Sequence, residues 1–328
     1  MRAAAYERTG PASEVLSIVE LPIPIPGSGE VRVRVSWSGV NPSDVKNRSG
    51  VRSKTLPFPR IVPHSDGAGV IDDVGPDVPR ERIGQQVWLW NAAWQRAYGT
   101  AAEYVVLPAT QAVPLPKTLD ASIGACLGIP ALTAYHAVAV DGGVADKCVL
   151  IAGGAGAVGH YAIQFARQMG ARQILATVSG PEKAAVAKAA GADIVLNYRT
   201  DDLVGTVQEI TGGQGVERIV EVDLGANIDT DIALLQPGGD IVAYGSGATE
   251  IALSFPAMLT KGIRLRFFLV YKLSADDRSR TIAGVSAMLE SDLLSHNIAA
   301  RLPLAQIALA HESVEQGHAV GNVILEIG

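Results

Sequence analysis

Residues 147–170 read KCVLIAGGAGAVGHYAIQFARQMG, and this stretch decides the fold of the chain. It opens with a short apolar run, residues 148–151, which is typical of a buried parallel strand. A glycine-rich turn follows and leads into apolar residues at helical spacing, which end at Gly170. A backbone without side chains can approach a pyrophosphate closely, and the free N–H groups at a helix start point toward it. The stretch therefore predicts a phosphate-binding turn between a strand and a helix.

The glycines of this turn fit the spacing G-x-G-x-x-G, with Gly154, Gly156 and Gly159 at the fixed positions. Glycine turns also occur for packing reasons alone, so the interpretation depends on the segments that follow. Apolar runs alternate with helical segments from the turn to residue 244. This alternation favours an α/β fold with a doubly wound parallel sheet, and it predicts a Rossmann dinucleotide-binding domain in the second half of the chain.

The end of the second predicted strand distinguishes the two nicotinamide dinucleotides. An NAD site usually carries Asp or Glu there, roughly 20 residues past the turn, to bind the ribose 2′-hydroxyl. This chain has Ser179 there and Lys183 one helical turn later, while Tyr198 and Arg199 close the third strand. A hydroxyl, an ammonium and a guanidinium suit a 2′-phosphate, whereas Glu182 argues for NAD. The sequence predicts NADPH; the alternative is that the cations are solvated surface charges.

Composition excludes several classes of protein. The 328 residues are enough for two domains with sizeable cores. The net charge of −6 and the lack of a basic run argue against nucleic acid or an anionic membrane as a partner. Residues 121–140 form the only long apolar stretch, but glycine, proline and histidine interrupt it, which favours buried helix over a membrane span. The N-terminus has no apolar signal core, so a cytoplasmic protein is expected.

The first half of the chain shows a different pattern. Residues 30–36 alternate apolar and polar, and many other short strands are separated by Gly and Pro, which predicts a mainly antiparallel β domain. We place this domain at residues 1–122, completed by residues 263–328, and the nucleotide domain at residues 123–262. Residues 264–270 predict an exposed edge strand through which a homodimer would form.

Several motifs together resemble those of the zinc-free medium-chain dehydrogenases/reductases, and most closely the zeta-crystallin type of NADPH:quinone oxidoreductase. In chain order they are GVNPSD at 39–44, RSG at 48–50, HSDGAGVI at 64–71, GIPALTAY at 128–135, the glycine turn, YGS at 244–246 and AHE at 310–312. The resemblance runs nearly end to end. It implies that the first domain is a GroES-like catalytic domain, that the active cleft lies between the two domains, and that NADPH reduces quinones or related conjugated carbonyl acceptors there.

The resemblance also bears on metal binding. In the alcohol dehydrogenase branch, cysteines would stand at Asn41 and near Ile129, and glutamate rather than Ser65 would follow His64. The cysteine-rich structural zinc lobe has no counterpart in the sequence. A catalytic zinc takes at least three protein ligands, so His64 alone cannot hold one and is predicted to be a hydrogen-bonded structural histidine. No metal is predicted.

Two catalytic candidates lie in the first domain. Asn41 is the candidate amide donor to nicotinamide or substrate. Lys46 stands where similar quinone reductases carry tyrosine; facing the nicotinamide it would stabilise developing negative charge, and facing solvent it would do little. Trp90 and Trp94 would form flat walls for an aromatic substrate or belong to the core. Without a metal or an evident catalytic base, reduction of an electron-poor acceptor is favoured over alcohol oxidation.

By resemblance, the cofactor contacts extend beyond the three turn glycines. They comprise Ala157, Val158, Ser179, Lys183, Tyr198, Asn227, Tyr244, Gly245, Ser246, Phe267, Phe268 and Leu269. Ala157 stands where relatives usually have another glycine, which should narrow the turn slightly. Two alternatives stay open: an enoyl or 2-alkenal reductase on the same scaffold, and a non-catalytic, crystallin-like NADPH-binding protein.

Overall fold

The computed structural model describes residues 1–328. The chain forms two compact units, the first made of residues 1–130 and 296–328 and the second of residues 131–295. Both boundaries differ from those we placed after residues 122 and 262. The second unit extends to residue 295 because residues 264–267 pair with the preceding strand of its sheet, and because the helix at 275–290 packs on the helix at 132–139.

The strands and helices follow one another along the whole chain. The strands are β1 (Arg2–Ala5), β2 (Ser17–Glu20), β3 (Glu30–Val40), β4 (Asp66–Val74), β5 (Gln86–Leu89), β6 (Tyr104–Pro108), β7 (Ala112–Pro114), β8 (Cys148–Ile151), β9 (Gln173–Val178), β10 (Ile194–Asn197), β11 (Val216–Glu221), β12 (Leu235–Ala243), β13 (Arg264–Phe267), β14 (Ile298–Pro303) and β15 (Asn322–Glu326). The α-helices are α1 (Ala12–Val15), α2 (Pro42–Ser49), α3 (Ala121–Gly124), α4 (Leu132–Ala139), α5 (Ala157–Gln168), α6 (Pro181–Ala189), α7 (Leu203–Ile210), α8 (Leu224–Leu234), α9 (Phe255–Lys261), α10 (Ala275–Glu290) and α11 (Ile307–Glu315).

The first unit is built on a seven-stranded, mainly antiparallel sheet, as predicted. Its strand order is β14-β15-β3-β4-β5-β7. The remaining strand, β6, pairs with the N-terminal half of β3. In β3 the valines at 31, 33 and 35 are buried, whereas Arg34 between them is exposed, which is the predicted alternation. The closing strand β15 pairs antiparallel with β3, so the C-terminal segment completes this unit.

The second unit contains a six-stranded sheet in the order β10-β9-β8-β11-β12-β13, and every neighbouring pair is parallel. This is the doubly wound dinucleotide-binding order, in which ligands bind at the carboxyl ends of the strands beside the point where the strand order reverses. Here that point lies between β8 and β11. The predicted edge strand is β13, and the predicted homodimer through it stays a prediction.

One helix of this unit is longer than its sequence pattern indicates. The pattern predicts a helix at residues 230–235, whereas α8 begins at Leu224. Gly225 obscures the start because glycine is a poor helix former. The glycine is needed for packing, since a Cβ at this position would lie 2.7 Å from Cβ of Ala248 and 2.8 Å from Oγ of Ser246.

The apolar stretch at residues 121–140 is divided between three short elements. They are α3, a π-helical turn at Leu127–Ala131 that contains Pro130, and α4. The proline and glycines therefore interrupt the stretch as its sequence indicates. None of the helices combines the length and the apolar character needed to cross a membrane.

Candidate functional site

The glycine turn after β8 is hydrogen-bonded to the two neighbouring strands, β9 and β11. Gly154 N donates to the carbonyl of Thr177 at 2.9 Å, and Gly153 N donates to Oγ1 of the same threonine at 3.2 Å. On the other side, Ala152 N donates to the carbonyl of Val220 at 3.0 Å. These bonds fix the turn at the carboxyl edge of the sheet, at the reversal of strand order.

The turn glycines have distinct steric roles. A Cβ at Gly159 would lie 2.2 Å from the carbonyl oxygen of Gly153, which backbone packing does not allow. A Cβ at Gly154 would lie 2.7 Å from Cβ of Ala176. Gly156 is exposed, and a Cβ there would meet only the Gly153 oxygen, at 3.3 Å. Gly154 and Gly159 therefore allow the turn to close, while Gly156 leaves open space in front of the helix.

The start of α5 offers hydrogen-bond donors to a ligand. His160 N makes the first hydrogen bond within the helix, to the carbonyl of Gly156 at 3.0 Å. The amides of Ala157, Val158 and Gly159 come before it and have no helix carbonyl to bind. These N–H groups at the positive end of a helix dipole fit a pyrophosphate, so the residues present suit a dinucleotide.

The carboxyl ends of β9 and β10 bring together the residues predicted to surround a 2′-phosphate. The residues before Ser179 and Tyr198 are direct partners in the parallel register. Lys183 is half-buried in the first turn of α6, whereas Glu182 is exposed. Arg199 is exposed, with its guanidinium carbon 6.0 Å from the centre of the Tyr198 ring. This edge of the sheet thus carries cations and hydroxyls but no buried carboxylate at the end of β9.

The carboxyl ends of β11 and β12 hold a second group of predicted cofactor contacts. Asn227 lies in α8, and its Nδ2 donates to Oε1 of Glu221 at 3.0 Å. Residues 244–246 follow β12 directly. A Cβ at Gly245 would lie 2.2 Å from the carbonyl oxygen of Val222, so glycine permits the two strand ends to touch.

The predicted contacts at the end of β13 and just after it do not share one environment. Phe268 packs edge-on against His136, with ring centres 4.7 Å apart, and lies 6.4 Å from the ring of Tyr244. Its neighbours differ, since Phe267 is 62% exposed and Leu269 is 37% exposed. The side chain of Phe268 thus packs beside Tyr244, which directly follows β12, whereas the side chains of Phe267 and Leu269 are partly exposed to solvent.

Asn41 lies in a buried polar cluster of the first unit, at the N-terminal cap of α2. Its Nδ2 donates to Oδ2 of Asp66 at 2.7 Å, and its backbone N donates to Oδ2 of Asp44 at 2.9 Å. Burial raises the pKa of Asp44 to about 7 and the pKa of Asp66 well above its ordinary value. Asp66 and Asp44 thus fix the position of Asn41, and both carboxyl groups interact with its side-chain amide.

The other three candidate residues of the first unit are each half-buried. Lys46 is in α2, one helical turn beyond Pro42. Trp90 and Trp94 lie in the segment that follows β5. The predicted roles of these residues, like the role of Asn41, stay predictions.

His64 is a hydrogen-bonded structural histidine, as predicted. Its Nδ1 is 2.8 Å from Oγ of Ser38, and its Nε2 is 2.9 Å from Nε2 of His311. Burial lowers the pKa of His64 to about 3 and that of His311 well below its ordinary value, so both rings are neutral. No group of three or more His, Cys, Asp or Glu residues is arranged to hold a metal ion.

Four buried acids beside the predicted site residues were not recognised from the sequence: Asp44, Asp66, Glu221 and Asp231. Asp231 had a signal, because it shares the buried face of α8 with Leu224 and Ile228 at helical spacing. Asp66 and Glu221 stand at the ends of buried apolar strands, where a carboxyl group needs partners. The sequence signal for such a buried acid is therefore a charged residue within an otherwise apolar pattern.

Comparison with known proteins extends these observations. The family models described as "Alcohol dehydrogenase GroES-like domain" and "Zinc-binding dehydrogenase" match residues 27–117 and 157–290. Human quinone oxidoreductase is 32% identical over 329 residues, which cover 99% of this chain and 97% of that protein.

Solved structures with the same architecture cover the whole chain. One described as an NAD-dependent alcohol dehydrogenase has a TM-score of 0.91 and 30% identity over 100% of both chains. Escherichia coli quinone oxidoreductase complexed with NADPH has a TM-score of 0.88 and 26% identity over 100% of both chains. The chain therefore belongs to the medium-chain dehydrogenase/reductase family, as an NAD(P)H-dependent oxidoreductase of the quinone oxidoreductase type.

Proposed function

We propose that the protein uses NADPH to reduce quinones or related conjugated carbonyl compounds, without a metal ion. The carboxyl edge of the six-stranded sheet carries this proposal. Free amides at the start of α5 follow β8 at that edge. Lys183 follows the neighbouring strand β9, which has no carboxylate at its end. This combination suits a pyrophosphate together with a ribose 2′-phosphate.

The metal-free part of the proposal rests on the side chains of the first unit. Both ring nitrogens of His64 are within hydrogen-bond distance of protein groups, Ser38 and His311, which leaves no lone pair aimed at an ion. Asn41, which stands where the resemblance would place a zinc-binding cysteine, binds the carboxyl of Asp66. An amide is a poor substitute for a thiolate as a zinc ligand.

The chemistry divides between the cofactor and the protein. NADPH, when bound, supplies the reducing equivalents. Asn41, whose side-chain amide is held by Asp66 and Asp44, would share an Nδ2 hydrogen with the carbonyl oxygen of the acceptor and so polarise it. The Lys46 ammonium would stabilise the negative charge that develops on that oxygen. An electron-poor, conjugated acceptor needs only such weak stabilisation, which favours quinones over simple ketones.

Replacing Lys46 with methionine tests the role of the ammonium. We expect kcat/KM for a quinone to fall by about a hundredfold, the lower end of the effect of removing one charge-stabilising donor. Lys54→Met is the matched control, because Lys54 is an exposed lysine of the same unit. Equal rates for the two variants would show that Lys46 does not act on the acceptor.

A panel of acceptors tests the proposed function itself. NADPH oxidation is followed with 1,4-benzoquinone, 9,10-phenanthrenequinone, a 2-alkenal and a simple ketone, and we expect the quinones to react fastest. Turnover with the 2-alkenal alone would make the protein a double-bond reductase. NADPH binding without any turnover would indicate the crystallin-like alternative.

A further inference from the structure

Two buried acids at the end of β11 have no part in the proposed reaction. Glu221 is 0% exposed and Asp231 is 2% exposed, and their carboxyl groups are close enough to interact directly. Oε2 of Glu221 and Oδ2 of Asp231 receive no hydrogen bond from any N–H or O–H group around them. A proton held between the two carboxyls satisfies both oxygens, whereas two touching carboxylates in a dry site would repel each other.

The Glu221 carboxylate is bonded to the residues predicted to contact the cofactor. Its Oε1 accepts from Asn227 Nδ2 at 3.0 Å and from the backbone N of Asp223. The backbone carbonyl of Glu221 accepts a hydrogen bond from Tyr244 N at 3.1 Å. Asp223 continues the chain of contacts, because its Oδ1 accepts from Gly247 N at 2.7 Å. Displacement of Glu221 would therefore move both α8 and the segment after β12.

The charges around the pair favour retention of the proton. Burial, and then the charge of Glu221, raise the pKa of Asp231 to about 8. Burial is also the largest influence on Glu221 and raises its pKa; the hydrogen bonds from Asp223 N and from Asn227 oppose this rise, and the charge of Asp223 adds to it. Tyr244, from the neighbouring strand end, is neutral because burial raises its pKa. No cation forms an ion pair with either acid. The proton is thus present at neutral pH and leaves under alkaline conditions.

We propose that Glu221 and Asp231 are positioning residues that, through one shared proton, hold Asn227 and residues 244–247 in the arrangement that binds the dinucleotide. The inference rests on the proposed function, since it takes those residues as cofactor contacts. Loss of the proton places two negative charges in contact. The carboxyls then separate, Glu221 releases Asn227, and affinity for the dinucleotide falls.

The test is the ratio of the dissociation constant at pH 9.5 to that at pH 7, measured by fluorescence titration with NADPH and with NADH. For the wild type we expect both ratios to be about ten or more, since one linked proton changes affinity by up to about tenfold per pH unit above its pKa. NADH removes any contribution from a 2′-phosphate. In Asp231→Asn the amide donates to Glu221 at every pH, so both ratios should be near one.

Asp229→Asn is the matched control, because Asp229 is an exposed acid on the same helix, and it should keep the wild-type ratios. Thermal unfolding separates positioning from a purely structural role. The folded chain keeps a proton that an unfolded aspartate, with an ordinary pKa of 3.8, has lost, so the contribution of Asp231 to stability falls as pH rises toward 8. A purely structural pair would show this fall without any change in affinity.

A wild-type ratio near one, or an Asp231→Asn ratio equal to that of the wild type, would overturn the inference and leave the proposed function standing. Failure of the wild type to bind either dinucleotide at pH 7 would overturn the proposed function and the inference together.

Discussion

Replacing Gly156 with leucine is expected to abolish dinucleotide binding while the fold persists. Gly156 has φ −72° and ψ 168°, an extended conformation that any residue adopts without strain. A Cβ there meets only the Gly153 oxygen at 3.3 Å, so a small local shift accommodates it. A leucine side chain would instead occupy the open space in front of the amides of Ala157 and Val158, where the pyrophosphate would lie.

Titration calorimetry measures this effect, and we expect affinity for NADPH and NADH to fall by at least about a hundredfold, or roughly 2.7 kcal/mol. Gly156→Ala gives a smaller, graded loss because a methyl group fills less of the space. Gly159→Val separates the two kinds of turn glycine, since its Cβ would lie 2.2 Å from the Gly153 oxygen and the variant should lower the melting temperature as well. Wild-type affinity in Gly156→Leu would refute the assignment of the turn.

Reversing the charge of Lys183 is expected to change cofactor preference. Lys183 lies in the first turn of α6, just after β9. An NAD site would place a carboxylate at the end of that strand. A hydrogen bond to a charged group contributes about 1.5–3 kcal/mol, so Lys183→Glu should weaken NADPH binding by about 10- to 100-fold. NADH has no 2′-phosphate, and its affinity should change by only a few-fold.

The control for this reversal is Lys188→Glu, because Lys188 is an exposed lysine at the other end of the same helix. It carries the same change of net charge without reaching the proposed phosphate position. Dissociation constants for both dinucleotides, measured at one ionic strength, separate the effects. Equal losses of NADPH and NADH affinity in Lys183→Glu would show that this side chain does not bind the 2′-phosphate.

Local patterns were sufficient to predict the parallel sheet and its glycine turn. The run at 148–151, the turn and α5 form one continuous stretch, so strand, turn and helix signals reinforce one another. The start of α8 was not visible, because Gly225 is dictated by its contact with residues 246–248 rather than by helix propensity. The boundary at residue 295 depends on packing between α10 and α4, which no local pattern encodes.

Two polar partners of the candidate residues could not be predicted, because they are distant in sequence. Asn41 binds Asp66, 25 residues away, and His64 meets His311, 247 residues away. Asn41 and Asn227 were candidates from the sequence, but Asp66 and Glu221 are recognised as the acids that bind their amides only once the strands are assembled. Burial then determines the charge of those acids, as the shared proton of Glu221 and Asp231 illustrates.

Metal-free reduction of quinones by NADPH is tested most directly by kcat/KM for NADPH with 9,10-phenanthrenequinone, measured on purified protein before and after dialysis against a zinc chelator. Our prediction is turnover that prefers NADPH to NADH and does not change on dialysis, together with less than stoichiometric zinc by elemental analysis. Activity that is lost on chelation and restored by zinc, or a preference for NADH, would contradict it.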